Sequence, residues 1–359
     1  MIVLISYYGT VKLKINFSFT CLFKKPFYKD KPLDNTTFSV KKYTSQDKSL
    51  WNDFMHSAKN ATFLFQREFM DYHSDRFEDH SVLVFKNEKV VGLLPANISE
   101  KTLYSHQGLT YGGLVINKKT KLKEVREIFQ SLLKYLNKEG IEKLQLKLLP
   151  KIYSSIPSDE MDYLLFITNA EIIRTDILSV IDNQNSIKIA SNRLEGVKKG
   201  QKNNLRIEEG NDFEQFWNEI LIPNLALRHD ALPVHSLGEI AQLAKDFPNN
   251  ILQFNVFKYS EIVGGATIFE TENVAHVQYI SANEDKQQLG TLDYLFEFLI
   301  NDRFKNMRYF DFGTSNENQG KNINEGLLYW KECFGARIIS QSFYEVKTSN
   351  YKKLESIFI

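Results

Sequence analysis

Apolar positions along this chain switch repeatedly between two periods. Ser39-Val40-Lys41-Lys42-Tyr43 alternates as a strand does, and Asp47 then caps a helix that sets Leu50, Trp51, Phe54 and Met55 on one face. A second short helix is expected over Glu68 to Tyr72. Ser81 to Phe85 and Val90 to Ala96, joined through Lys86-Asn87-Glu88-Lys89, read as a hairpin of buried strands. A strand through Thr102 to Ser105 leads into the glycine-rich run Gly108 to Gly113. Val125, Ile128, Phe129, Leu132, Leu133 and Leu136 then form a helical stripe ended by Gly140, and Leu144 to Leu148 follows as a strand.

The second half repeats this order. A helix around Phe213 to Leu225 carries Trp217, as the first carries Trp51. Ile251 to Lys258 and Glu261 to Phe269 form the next hairpin, with Glu261-Ile262-Val263-Gly264 matching the charged, apolar, apolar, glycine entry of Lys89-Val90-Val91-Gly92. Val274 to Ile280, a helix over Leu292 to Ile300 and a strand over Met307 to Phe312 complete it. Strands interleaved with helices, twice over, predict an α/β chain with two copies of one fold. The expected division is an extension or linker at 1–36, a first domain at 37–180 and a second at 181–359.

Length and composition fit this picture. The chain has 359 residues, 43% hydrophobic and 25% charged, enough for two globular domains. Its 45 basic and 44 acidic residues leave a net charge of +1, which argues against a nucleic acid as the main partner. The two cysteines, Cys21 and Cys333, make no framework, and a reducing cytoplasm is expected. Ile2-Val3-Leu4-Ile5 falls far short of the ~20 residues that span a bilayer. The seven histidines are scattered, and no metal set emerges.

The stretch from Asn324 to Ala336 is the most informative. Asn324 starts a short helix that runs into Phe334-Gly335, downstream of an apolar strand ending in Tyr309-Phe310-Asp311-Phe312-Gly313 and a loop with Glu317 and Gly320. Asn324 and Gly335 match the Asn-x-x-Ala-x-x-x-Tyr-x-x-x-Gly-Phe pattern of acyl-CoA N-acyltransferase (GNAT) domains, with Leu327 at the Ala position and Lys331 at the Tyr position. With Thr62-Phe63-Leu64, Ser105 to Gly113, Pro233-Val234-His235-Ser236 and His276-Val277-Gln278-Tyr279-Ile280, the chain from about Phe38 to Tyr344 resembles the FemAB-like branch, in which two GNAT domains are fused. The resemblance implies two tandem α/β domains with mixed central sheets flanked by helices. It also implies transfer of an acyl group to an amine.

On that resemblance, Gln287-Gln288-Leu289-Gly290-Thr291-Leu292 stands where these folds offer backbone N–H groups to the pyrophosphate of coenzyme A. Gln287 and Gly290 fit the family loop, while Leu292 replaces a small residue. The first half has no such loop, since 117–124 is lysine-rich and lacks glycine. Gln287, Gly290, Thr291 and Asn324 are therefore candidates for holding acetyl-CoA or another acyl-CoA. Lys331 is the sharpest catalytic candidate, as proton donor to the thiolate or stabiliser of the thioester oxygen, with Glu317 and Asp311 as nearby acids. His106, Tyr111, Lys147, Tyr153, Arg193, His276 and Gln278 are candidates for the acceptor, taken to lie between the halves. The activity this resemblance implies moves an acyl group, an acetyl group from acetyl-CoA, onto the amine of a nucleotide- or lipid-linked amino sugar of a surface polysaccharide. Two alternatives stay open: aminoacyl-tRNA-dependent transfer to a peptidoglycan precursor, and a non-catalytic glycan-precursor binder, which Leu292 keeps in play.

Overall fold

The computed structural model describes residues 37–358, so the extension expected at 1–36 lies outside the described residues. Six strands and four helices position the site and are numbered here. The strands are β1 (Lys143–Lys147), β2 (Glu171–Asp182), β3 (Glu261–Glu270), β4 (Val274–Ala282), β5 (Tyr309–Thr314) and β6 (Arg337–Lys347). The helices are α1 (Leu122–Lys138), α2 (Ser191–Lys202), α3 (Thr291–Phe298) and α4 (Glu325–Cys333).

One ten-stranded sheet runs through both halves, in the order Asn97–Ser99, Thr102–Tyr104, β1, β6, β2, β5, β4, β3, Ile251–Lys258, Arg206–Gly210. The last long strand, β6, lies between β1 and β2 and is antiparallel to both, with Tyr344 opposite Leu146 and Gln341 opposite Asp176. Strand β2 runs across the 180/181 boundary and pairs with β5, Phe310 facing Ile181. A separate four-stranded antiparallel sheet holds Phe38–Lys42, Val82–Lys86, Lys89–Leu94 and Val115–Ile116. The alternating and continuous apolar runs thus became strands as expected.

Helix α1 buries the whole stripe from Val125 to Leu136 between the sheets of the first half. Phe296 of α3 packs on Phe310, Phe312, Trp330 and Phe334 in the second. A third apolar cluster joins the halves: Phe63 meets Phe247 at 5.3 Å and Phe269 at 5.5 Å. Deleting one such ring from a core costs about 3–5 kcal/mol, so this cluster holds the halves in a fixed relation. Among the described residues, no helix is long and apolar enough to cross a membrane.

The site follows from one irregularity. The parallel strands β4 and β5 pair only over Val274–His276 and Tyr309–Asp311, although β4 continues to Ala282 and β5 to Thr314. The β5–β2 register also breaks between Asp311 and Thr314. Past His276 and Asp311 the sheet therefore parts, and α4 crosses beneath the gap.

Candidate functional site

The parted strands open onto a cavity of about 350 Å³, lined from both halves by Tyr111, Lys147, Tyr153, Arg174, Asp176, His276, Gln278, Asp311, Lys331 and Gln341 among others. Asp311 lies at its floor, fully buried. The His276 ring donates from Nδ1 to Asp311 Oδ2 at 3.0 Å, Tyr153 OH donates to the same oxygen at 2.7 Å, and the Gly313 N–H donates to Oδ1 at 2.7 Å. Gly313 sits at φ +70°, which aims its amide back at the carboxylate. Burial acts to raise the Asp311 pKa, but the His276 charge and the three donors outweigh it and hold the carboxyl below its ordinary value. A carboxylate accepting from Nδ1 fixes the imidazole tautomer and leaves Nε2 as an acceptor toward the cavity.

Lys331 enters from α4. Asn324 accepts the Leu327 N–H at 3.0 Å and so starts the helix where the sequence placed its cap. Two turns on, Lys331 is 3% exposed, and its Nζ donates to the carbonyls of Gly313 at 3.0 Å and Thr314 at 2.7 Å. Burial pulls its pKa down to about 8, against the opposing charge of Asp311. Two of the three ammonium protons are spent on β5, which leaves one for the cavity. Lys147 is similar: Nζ donates to the Leu109 carbonyl at 2.9 Å, and burial, reinforced by the Arg174 charge, lowers its pKa to about 8. Gln278 Oε1 is buried and has no hydrogen-bond partner among the described residues.

A second cavity of about 420 Å³ lies along β4 and the start of α3, lined by Asn224, Ser281, Gln287, Leu292, Asp293 and Asn324 among others. It shares Ile280, Leu327 and Trp330 with the first cavity, so the two adjoin beside Lys331. Gln287 and Asn324 thus reach it. Gly290 and Thr291 line neither cavity and are buried under α2, whose Gly196 carbonyl would clash with a Cβ added at Gly290. Gly290, at φ +74°, serves this close helix packing. Asp293, in the first turn of α3, accepts from Trp330 Nε1 at 3.0 Å and Arg193 Nη1 at 2.9 Å. Burial raises the Asp293 pKa, with those two donors opposing. The basic patch on α2 therefore includes an arginine already ion-paired.

Of the other sequence candidates, Tyr111 and Tyr153 both line the first cavity, their rings 4.8 Å apart and tilted by 50°. His106 is buried at φ +68° beside Phe77 and lines neither cavity. Glu317 is exposed, accepts from Asn324 Nδ2 at 3.1 Å and also lines neither. Sequence reasoning did not reach Arg174, Asp176, Gln341 or Asp293. The alternation Arg174-Thr175-Asp176 within an apolar strand was the available signal, since it puts opposite charges on one face. Among the described residues, no group of three or more His, Cys, Asp or Glu is placed to hold a metal ion.

The parted parallel strands and the sheet that runs through both halves define a FemAB-like fold of the GNAT type. No protein-family model matches the chain, and no curated protein matches it. Solved structures do. FemX superposes with a TM-score of 0.61 at 9% identity, over 88% of this chain and 99% of that one. The C-terminal domain of a putative lysylphosphatidylglycerol synthetase from Agrobacterium fabrum gives 0.55 at 9% identity, over 84% and 91%. The L-PGS structure from Bacillus licheniformis gives 0.54 at 10% identity, over 85% and 92%. At such identities the likeness is one of fold.

Proposed function

We propose that this protein is an N-acyltransferase that moves an acyl group, in the first instance acetyl from acetyl-CoA, to the amine of a nucleotide- or lipid-linked amino-sugar precursor of a surface polysaccharide. One observation carries the reading: an oriented His–Asp pair and a buried lysine line one cavity that shares a wall with another. The acceptor amine enters the first cavity and the acyl donor the second, with the reacting carbonyl near Leu327 and Trp330. His276 Nε2 takes a proton from the attacking amine as the C–N bond forms. Lys331 offers its remaining proton to the carbonyl oxygen and then to the departing thiolate as the C–S bond breaks. General-base catalysis contributes about 10²–10⁴-fold, and a buried donor at the developing oxyanion about 10²–10³-fold. Asp311 and Tyr153 act through His276 by positioning it. Gln278 Oε1, which has no donor among the described residues, suits the second hydrogen of the amine.

The donor end is less one-sided. Amides in the first turn of a helix have no intrahelical acceptor and favour a diphosphate, and Lys199 and Arg193 stand close by on α2. The Asp293 carboxylate in that same turn disfavours one and suits an α-ammonium, which supports an aminoacyl ester carried on tRNA as the second reading. Calorimetry of acetyl-CoA with wild type and Asp293→Asn separates them. For a CoA donor, wild type binds and the variant binds about tenfold tighter, as expected for loss of one nearby like charge. Absence of acetyl-CoA binding to both, with aminoacyl-ester binding lost in the variant, overturns the CoA reading.

A further inference from the structure

Three neighbouring strands place Lys147, Phe343 and Arg174 in one lateral row. In register, Phe343 of β6 faces Lys147 of β1 on one side and Arg174 of β2 on the other. The two cationic groups lie 5.5 Å and 4.6 Å from the centroid of the Phe343 ring, which holds both heads at one wall of the first cavity. Their charges are not balanced. Arg174 engages Asp176 through Nε at 2.8 Å and Nη2 at 2.6 Å, one guanidinium against one carboxylate. Lys147 makes no ion pair among the described residues, and its hydrogen bond goes to an uncharged carbonyl, Leu109 O. The wall therefore carries one uncompensated positive charge, with Nη1 of Arg174 and further protons of Lys147 open to a ligand. Lys147 is half-buried, and a cation partly withdrawn from water without a counter-ion is destabilising unless a ligand supplies one.

We propose that this row is an anion subsite, and that the acceptor carries a carboxylate or phosphate on the same small unit as its reacting amine. The inference rests on the acceptor reading of the first cavity and narrows it. A cavity of about 350 Å³ is roughly 9 Å across if taken as a sphere, about the length of one sugar ring with its substituents. The amine at His276 and the anion at Lys147 must then be separated by no more than that. The compounds that fit are carboxylated or phosphorylated amino sugars. A neutral amino sugar would cover the half-buried Lys147 and leave its charge unanswered. The Arg174–Asp176 pair limits the subsite to one anionic group, because a second would face the Asp176 carboxylate.

Calorimetry without any acyl donor tests this independently of turnover, using glucosamine, 2-amino-2-deoxyglucuronic acid and glucosamine 6-phosphate as probes. An acid or phosphate that binds wild type at least tenfold tighter than glucosamine supports the subsite, and the tighter of the two names the anion. The preference is expected to vanish in Lys147→Met and persist in Lys147→Arg, with folding of each checked by circular dichroism. Equal affinity of wild type for all three probes overturns the proposal and needs no variant. A preference that survives in folded Lys147→Met overturns it as well. Should binding follow the expected pattern while no donor is turned over, the subsite stands and the transferase reading fails.

Discussion

Replacing Lys331 by Met separates what the amine does for activity from what it does to stability. In the wild type the ammonium is buried, contacts two carbonyls and has a pKa lowered from 10.5 to about 8. Each pH unit of that difference corresponds to about 1.4 kcal/mol, so burying the charged form costs about 3 kcal/mol. The sign follows from the direction. Because the folded-state pKa lies below the unfolded one, the unfolded chain binds more protons between pH 8 and 10.5, and wild-type stability rises over that window. Below pH 8 the cost is felt in full. Methionine removes it but strands the Gly313 and Thr314 carbonyls, at about 1–3 kcal/mol. Lys331→Met should therefore match or exceed wild type by up to about 2 kcal/mol at pH 7, and fall below it at pH 10. Urea denaturation at both pH values measures this. Its kcat should drop about 10²–10³-fold, and wild-type kcat should decline above pH 8 as the amine loses the proton it donates. A variant less stable than wild type by the same margin at pH 7 and pH 10 would refute the reasoning, since the lysine would then be a neutral packing element.

Two further outcomes follow from the geometry. Asp311→Asn removes the acceptor that fixes the His276 tautomer and should lower kcat about 10³-fold with acceptor KM changed little; combining it with His276→Gln should add almost nothing, and additive losses in steady-state kinetics would argue against a working pair. Gly290→Ala forces a Cβ against the Gly196 carbonyl at positive φ and should cost about 3 kcal/mol, or roughly 6 °C in Tm by calorimetry; an unchanged Tm would mean that α2 is not packed on this turn.

Local pattern made much of the fold readable. The α1 stripe, the hairpins and the Asn324 cap follow from spacing and capping chemistry within a dozen residues, and Asp311 at the end of an apolar strand stood out as a carboxylate with little reason to be there. His276, Tyr153, Lys147 and Lys331 were each visible singly, and the parted strands bring them together. The roles of Gly290 and Arg193 were not readable, because both depend on α2 packing across the start of α3, a contact between segments about a hundred residues apart. Arg174 stayed hidden for a similar reason. Its meaning comes from Phe343 on a strand inserted beside it, and nothing near residue 174 announces that neighbour.

That inserted strand also constrains how the protein is made. β6 completes the sheet of the first half, yet about 200 residues separate Tyr344 from its partner Leu146. A ribosome that has finished the first half has produced a sheet with an open edge between β1 and β2, of the kind prone to pairing with other chains. Closure waits for residues beyond 340, and long-range pairing of this sort is slow. The two halves are thus one folding unit despite their repeated design. Neither is expected to fold when expressed alone, and chaperone engagement during synthesis should last until β6 emerges.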